Sequence, residues 1–245
     1  MREQILNQPI DTFDLNEVEH LAKMALVNSR QFRIVTLNPE MVINALKNFE
    51  FQAAINNSHL IVPDGTGIVW ALKLLNPQKF KTLRRIAGIE LAERIVQTAN
   101  ELSKKIAIFG GKKEVLEKTI IRLQERYSNL QIVKAFDGFK AQEQFSEIAQ
   151  NISSCNPDVV LVALGSPKQE IWINNYASLF PRSILIGIGG SLDIWSGIKS
   201  RAPAWIRNNH MEWLFRALTE PQRIPRILKT LPQFICMILK EKIKY

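Results

Sequence analysis

Three polar clusters each follow a short apolar run, and each carries a side chain able to do chemistry. Arg33-Ile34-Val35-Thr36-Leu37 leads into Asn38-Pro39-Glu40, Leu60-Ile61-Val62 into Pro63-Asp64-Gly65-Thr66-Gly67, and Val159 to Leu164 into Gly165-Ser166-Pro167-Lys168-Gln169-Glu170. Asp64 is the sharpest candidate. A carboxylate on a glycine-rich turn after a strand can be held rigidly, shielded from water and facing a cleft, which suits a general base. The same position suits an Asp that caps the next helix, and spacing alone leaves both open. Gly65 and Gly67 permit positive φ and a close backbone approach to a ligand.

The third cluster has two readings as well. Ser166 and Gln169 have the spacing of a capping box, in which each side chain satisfies the other's backbone amide. Lys168 at the same helix start faces the positive end of the helix dipole, an arrangement that an anionic ligand would relieve. Phe109-Gly110-Gly111 and Gly187-Ile188-Gly189-Gly190-Ser191 also join strand to helix, where free amides can bind phosphate or where the chain merely packs tightly. Neither forms a GxGxxG fingerprint or a Walker motif. Arg84, Arg85, Arg216, Arg223 and Arg226 could hold a diphosphate through bidentate contacts, against the alternative of a solvated basic face. Spacings of seven and three put the last three on one face only if their segment stays helical, and Pro221 and Pro225 argue for a break. His20, His59 and His210 are isolated, and HExxH, paired CxxC and DxD patterns are absent, so no bound metal is expected.

The elements that must position these groups follow from apolar periodicity. Strands are expected at Arg33–Leu37, Leu60–Val62, Lys105–Phe109, Gln131–Ala135, Asp158–Leu164 and Ile184–Ile188. Helices are expected at Asn16–Ser29, Pro39 to about Phe49, Thr66–Leu75, Gly88–Leu102, Lys112–Tyr127, Ala141–Ser154 and Pro167–Ser178. Asn38 before Pro39 is a strong helix start. Strands alternating with helices of this length indicate an α/β, Rossmann-like, mainly parallel sheet covered on both faces. In such sheets ligands bind beyond the carboxyl ends of the strands, where the clusters fall.

After Gly190-Ser191-Leu192-Asp193 the pattern changes. Residues 1–195 read as the α/β domain. Residues 196–245 read as a basic appendage of two or three amphipathic helices broken by proline. Ten Lys/Arg against three acids from Ser196 to Tyr245 carry +7 of the formal +9, which points to an anionic partner there: nucleic acid, a lipid surface or a phosphorylated ligand. The 46% hydrophobic and 22% charged composition is that of a globular protein, and no stretch approaches the roughly 20 apolar residues that span a bilayer. Two cysteines, Cys155 and Cys236, and a start lacking a signal-peptide core favour the cytoplasm.

Taken together, Thr36-Leu37-Asn38-Pro39, Pro63-Asp64-Gly65-Thr66-Gly67, Arg85-Ile86-Ala87-Gly88, Phe109-Gly110-Gly111, Gly165 to Glu170, and Arg201-Ala202-Pro203 leading into Glu212-Trp213-Leu214-Phe215-Arg216 resemble the WecG/TagA/CpsF glycosyltransferases, glycosyltransferase family 26. The resemblance covers about Arg33 to Arg226. It implies an inverting hexosyltransferase that moves an N-acetylmannosamine-type sugar from UDP to undecaprenyl-diphosphate-linked N-acetylglucosamine, for wall teichoic acid or another surface polysaccharide. UDP-glucose and UDP-galactose remain open as donors, and no cofactor beyond the donor substrate is implied. Carried over by position, Asp64 is the base, and Thr36, Asn38, Arg85 and Gln169 fall on active-site positions. Gly65, Gly67, Phe109, Gly110, Gly111, Gly165, Lys168, Gly189, Asp193, Arg216, Arg223 and Arg226 fall on substrate-binding ones. This chain has Glu90 where the family usually has Asp. The appendage is implied to associate with the inner face of the cell membrane, making the protein cytoplasmic and peripheral, and a homo-oligomer packed through it is compatible with the sequence.

An NAD-dependent dehydrogenase fits the alternating pattern but lacks the glycine fingerprint. A nucleic-acid-binding module fits the basic, tryptophan-bearing tail. Neither accounts for Asp64, Arg85 and Gln169 occurring together, so nucleic acid is not an expected partner.

Overall fold

Five-residue runs such as Val159–Ala163, apolar at every position, can be satisfied only by burial on both faces, and the computed structural model places this one near the middle of a parallel sheet. The structure describes residues 2–139, 142–209 and 211–243; the expected helix start at Ala141, and His210 and Lys244, lie outside them. The strands are β1 (Arg2–Ile5), β2 (Gln8–Asp11), β3 (Phe32–Leu37), β4 (Leu60–Pro63), β5 (Lys105–Gly110), β6 (Gln131–Phe136), β7 (Val159–Ala163) and β8 (Ile184–Gly187). The last six form one sheet in the order β4-β3-β8-β7-β5-β6, with every pairing parallel. The chain winds outward from β3 to β4 on one side and from β5 to β6 on the other, then returns through β7 and β8 between β3 and β5; in such sheets ligands bind beyond the carboxyl ends, at the point where the winding reverses.

The helices are α1 (Leu15–Val27), α2 (Pro39–Ala45), α3 (Phe49–Asn56), α4 (Thr66–Leu75), α5 (Gly88–Glu101), α6 (Lys113–Arg126), α7 (Phe145–Ser153), α8 (Lys168–Tyr176), α9 (Ser191–Trp195), α10 (Ala204–Asn208), α11 (Glu212–Thr219) and α12 (Ile224–Ile243). Strand residues alternate between the two covering layers: Ile106, Ile108 and Leu161 pack under α1, α5 and α6, while Ala107, Phe109, Val160 and Val162 pack under α7 and α8. The expected helix from Pro39 to about Phe49 is two helices. Asn48 takes an extended conformation and its side chain accepts from the Phe51 amide, which restarts the chain as α3.

A β1–β2 hairpin was not expected from the sequence. Its turn, Leu6-Asn7, has positive φ at both residues, and buried Asp11 receives the Ile61 amide, tying the hairpin to the outer strand β4. The C-terminal segment also departs from expectation at Pro232, which lies inside a continuous 20-residue α12 and does not break it. That helix packs on α2 and α4, with Phe234 and Ile238 fully buried in the same core cluster as Met41, Ile68 and Leu72. Pro221 and Pro225 do mark the break between α11 and α12, where a 3-10 turn intervenes.

If α12 shares the core, Phe234→Ala should lower unfolding stability by about 3–5 kcal/mol in urea denaturation. Leu228→Ala on the exposed side of the same helix should change it by less than about 0.5 kcal/mol. Equal effects would mean that α12 does not dock as described.

Candidate active site

The parallel register of β3 and β4 pairs Thr36 with Val62 and Leu37 with Pro63, and the Asp64 amide donates to the Leu37 carbonyl at 2.8 Å. Two adjacent strand ends therefore deliver Thr36, Asn38 and Asp64 to one place. The Ile86 amide donates to the Pro63 carbonyl at 2.8 Å, which brings the start of α5 alongside. Gly88 is the close approach that completes the arrangement. A side-chain carbon there would stand 3.0 Å from Thr36 Oγ1 and 3.3 Å from Asp64 Oδ2, so glycine lets the backbone come close without pushing either group aside, and its N–H donates to the Asp64 carboxylate. Sequence reasoning placed Gly88 in a motif but not among the site residues.

Asp64 does not cap α4: the cap position is Gly65, with φ +89°, and no side chain bonds there. The acid instead faces charge. Desolvation pushes its carboxyl up from 3.8 to about 6, against the lowering effects of Arg216, the Gly88 amide and Arg85, with Glu212 adding to the rise. Burial thus outweighs two guanidiniums. Glu212 is 6% exposed and receives both Arg85 Nη1 and Nη2 on Oε2 at 3.1 Å and Arg216 Nη2 on Oε1 at 3.0 Å. Burial would raise its own proton affinity, but Arg216 and Arg85 hold its carboxyl below the usual range. Glu212 is a second site residue that sequence reasoning left out. Its i,i+4 spacing to Arg216 was visible, whereas its partner Arg85 lies 127 positions away.

After β7, the capping box expected at Ser166 and Gln169 does not form. Gln169 is buried and turns across the sheet ends: its Oε1 accepts from the Gly189 amide at 3.1 Å, and its Nε2 donates to Glu170 Oε1 at 2.7 Å. It packs over Gly187, where any side chain would collide with its amide. Glu170 is buried as well, and desolvation raises its proton affinity against the hydrogen bond from Gln169.

Other expected residues divide. Asn38 uses its side-chain oxygen to cap α2, accepting from the Met41 amide at 3.0 Å. Gly67 makes room for Pro39, whose Cγ would lie 2.6 Å from an added carbon. Phe109 is fully buried among Phe145 and Trp172, a core residue with no side-chain access to a ligand. Gly110, with φ +134°, presses against the Ala163 backbone, and the Gly111 amide donates to the Ala163 carbonyl at 3.1 Å, so this amide is not free for phosphate. The packing alternative holds at that turn. Gly165 has φ +76° with open space on its side-chain face. Lys168 is exposed on the first turn of α8, and Arg84 is exposed away from the Arg85 contacts.

Asp193, Arg216 and Arg223 line a cleft of about 320 Å³ with Gly190, Lys199 and Glu212, between the turn after β8 and the tail. Lys199 pairs with Asp193 at 2.7 Å and Glu220 at 3.4 Å, and Arg223 pairs with Glu220 at 2.7 Å. Arg226 is separated from them, reaching Glu40 on α2 at 3.7 Å, because the proline break turns it away. Glu90 on α5 pairs with Arg201 and, at 3.7 Å, with Arg207, a further tie between the sheet domain and the tail.

The whole arrangement sits in a chain whose residues 3–245 match the Glycosyl transferase WecG/TagA/CpsF family. The chain belongs to that family. Relatives named N-acetylglucosaminyldiphosphoundecaprenol N-acetyl-beta-D-mannosaminyltransferase include one from Bacillus subtilis (strain 168), 34% identical over 98% of this chain and 92% of the relative. Another, from Bacillus spizizenii, is 35% identical over 92% and 85%, and one from Staphylococcus aureus (strain NCTC 8325 / PS 47) is 36% identical over 86% and 81%. As a member of this glycosyltransferase family the chain is a transferase.

A carboxyl with higher proton affinity folded than unfolded leaves stability untouched below about pH 4 and weakens the fold as it ionises, with the full effect above about pH 6. Asp64→Asn should therefore gain about 2–3 kcal/mol in unfolding stability over the wild type at pH 8 and nothing near pH 4, measured by urea denaturation at both values. Equal stabilities at pH 8 would show that the carboxylate is not desolvated.

Proposed function

We propose that this chain is an inverting, UDP-sugar-dependent hexosyltransferase that moves N-acetylmannosamine onto undecaprenyl-diphosphate-linked N-acetylglucosamine. The observation that carries the reading is the desolvated Asp64 beside Arg85 and Arg216, in a chain 34–36% identical to transferases named for that sugar and acceptor. A carboxyl raised to about 6 is ionised at neutral pH yet basic enough to take a proton, the compromise general base catalysis needs.

In the proposed reaction an acceptor hydroxyl oxygen attacks the anomeric carbon from the face opposite UDP. Its proton passes to Asp64 as the new C–O bond forms, and the bond to the UDP oxygen breaks with its electron pair leaving on the diphosphate. Arg85 and Arg216, with Arg223 and Lys199 at the mouth of the cleft, are placed to stabilise that growing charge, and the mechanism asks no metal to do so. Gln169 links the ends of β7 and β8 through Gly189 and gives the donor a fixed wall. The volume of the cleft falls at the lower end of the usual range for small-molecule sites, about 300–1,000 Å³.

Among the described residues no helix is long and apolar enough to cross a membrane. The tail nevertheless exposes Trp205, Trp213, Leu214, Leu218 and Leu228 among its Lys and Arg residues. That combination supports docking on an anionic lipid surface, here the inner face of the cell membrane, where a lipid-borne acceptor would be met.

With UDP-N-acetylmannosamine and a short-chain polyprenyl-diphosphate-N-acetylglucosamine, UDP release by Asp64→Asn should fall about 10²- to 10⁴-fold. Wild-type kcat/KM should fall tenfold per pH unit below about 6, since only ionised Asp64 accepts the proton. Full turnover by the variant would end the assignment.

A further inference from the structure

Two guanidiniums beside a base create a difficulty. Opposite charges a few ångströms away stabilise the ionised carboxylate and lower its proton affinity, by about 1–3 pH units for a close pair. Arg85 and Arg216 therefore pull against the desolvation that keeps Asp64 a base, and anything that offsets their charge adds to its proton affinity. Both arginines, however, end on one carboxylate, and its two oxygens are divided between them: Oε2 of Glu212 takes both terminal nitrogens of Arg85, and Oε1 takes Arg216.

The two arginines come from different parts of the chain. Arg85 lies in the segment leading into α5, in the sheet domain, and Arg216 on α11, in the tail. Glu212 opens α11, and the i,i+4 spacing sets it on the same helix face as Arg216. Its burial distinguishes this cluster from the exposed ion pairs that contribute little. The charged groups acting on Asp64 from the elements around it are Arg85 before α5 and Arg216 and Glu212 on α11. From α5 it meets the Gly88 amide, which does not titrate in this range.

We propose that Glu212 is a positioning residue for sugar transfer: it fixes the sheet-domain arginine and the tail arginine on one carboxylate beside Asp64 and offsets part of their charge, so that the base keeps its proton affinity. This rests on Asp64 being the base. A purely structural role, in which Glu212 only docks the tail, makes a different prediction, because Glu90 also docks the tail through Arg201 and Arg207 without acting on Asp64.

The test is the pH profile of kcat/KM for the full chain, read by UDP release, for wild type, Glu212→Gln and Glu90→Gln. In Glu212→Gln the acid limb should move down by about one pH unit and plateau turnover should drop, since the arginines then act on Asp64 with only desolvation opposing them. In Glu90→Gln the limb should stay at its wild-type position whatever happens to the rate. A Glu212→Gln limb that is unmoved, or moved up, overturns the proposal. Should that variant fail to fold by circular dichroism, Glu212→Asp serves: it keeps the charge, so the limb should hold while KM for the UDP-sugar rises, and a limb moved down or an unchanged KM overturns the proposal. An acid limb that survives in Asp64→Asn at full activity refutes the base itself, whereas its loss there, with Glu212→Gln unchanged from wild type, refutes only the role of Glu212.

Discussion

Desolvation of one carboxylate beside two arginines that favour its ionised form is the interaction on which the candidate site depends. Desolvation wins the contest at Asp64, where backbone holds the residue on two sides: its own amide donates to the Leu37 carbonyl at the end of β3, and the Gly88 amide at the start of α5 donates to its carboxylate. Those two ties belong to a strand end and to the start of a 14-residue helix. The stability lost by ionising Asp64 is carried by a sheet whose central strands are buried on both faces.

The tail supplies Arg216, one of the two opposing charges, and is held in place from several directions. Glu212 meets Arg85, Arg201 meets Glu90, Arg226 approaches Glu40, and Phe234 and Ile238 enter the core against α2 and α4. The cleft thus has one wall from the turn after β8 and the other from residues 199–223. The tail that forms this wall also carries the outward-facing Trp205, Trp213, Leu214, Leu218 and Leu228.

The α/β architecture was legible because parallel strands write themselves as unbroken apolar runs and their helices as clear 3.6-residue stripes. What escaped was decided by local competition or by distance. Asn48 split an apparent helix by capping a new one, a signal present in the sequence but masked by the apolar pattern around it. The β1–β2 hairpin turns through Leu6-Asn7, without the glycine that usually announces such a turn. At the site, the turn carrying Asp64 was legible, while whether its side chain capped α4 was not, because spacing is the same in either case. The side chain of Gln169 was not, since the spacing of a capping box is identical whether the amide folds back or reaches across to Gly189. Phe109-Gly110-Gly111 looked like a phosphate turn and is a packing turn, because the Ala163 carbonyl already holds the Gly111 amide. Glu212 depended on Arg85, a contact no local pattern encodes.

The most direct test of the account is a carbon-13 NMR titration of the aspartate side-chain carboxyls, with Asp64 assigned by its absence from Asp64→Asn. The account predicts a resonance that titrates at about pH 6. A resonance that titrates near the ordinary aspartate value, about 3.9, would contradict it.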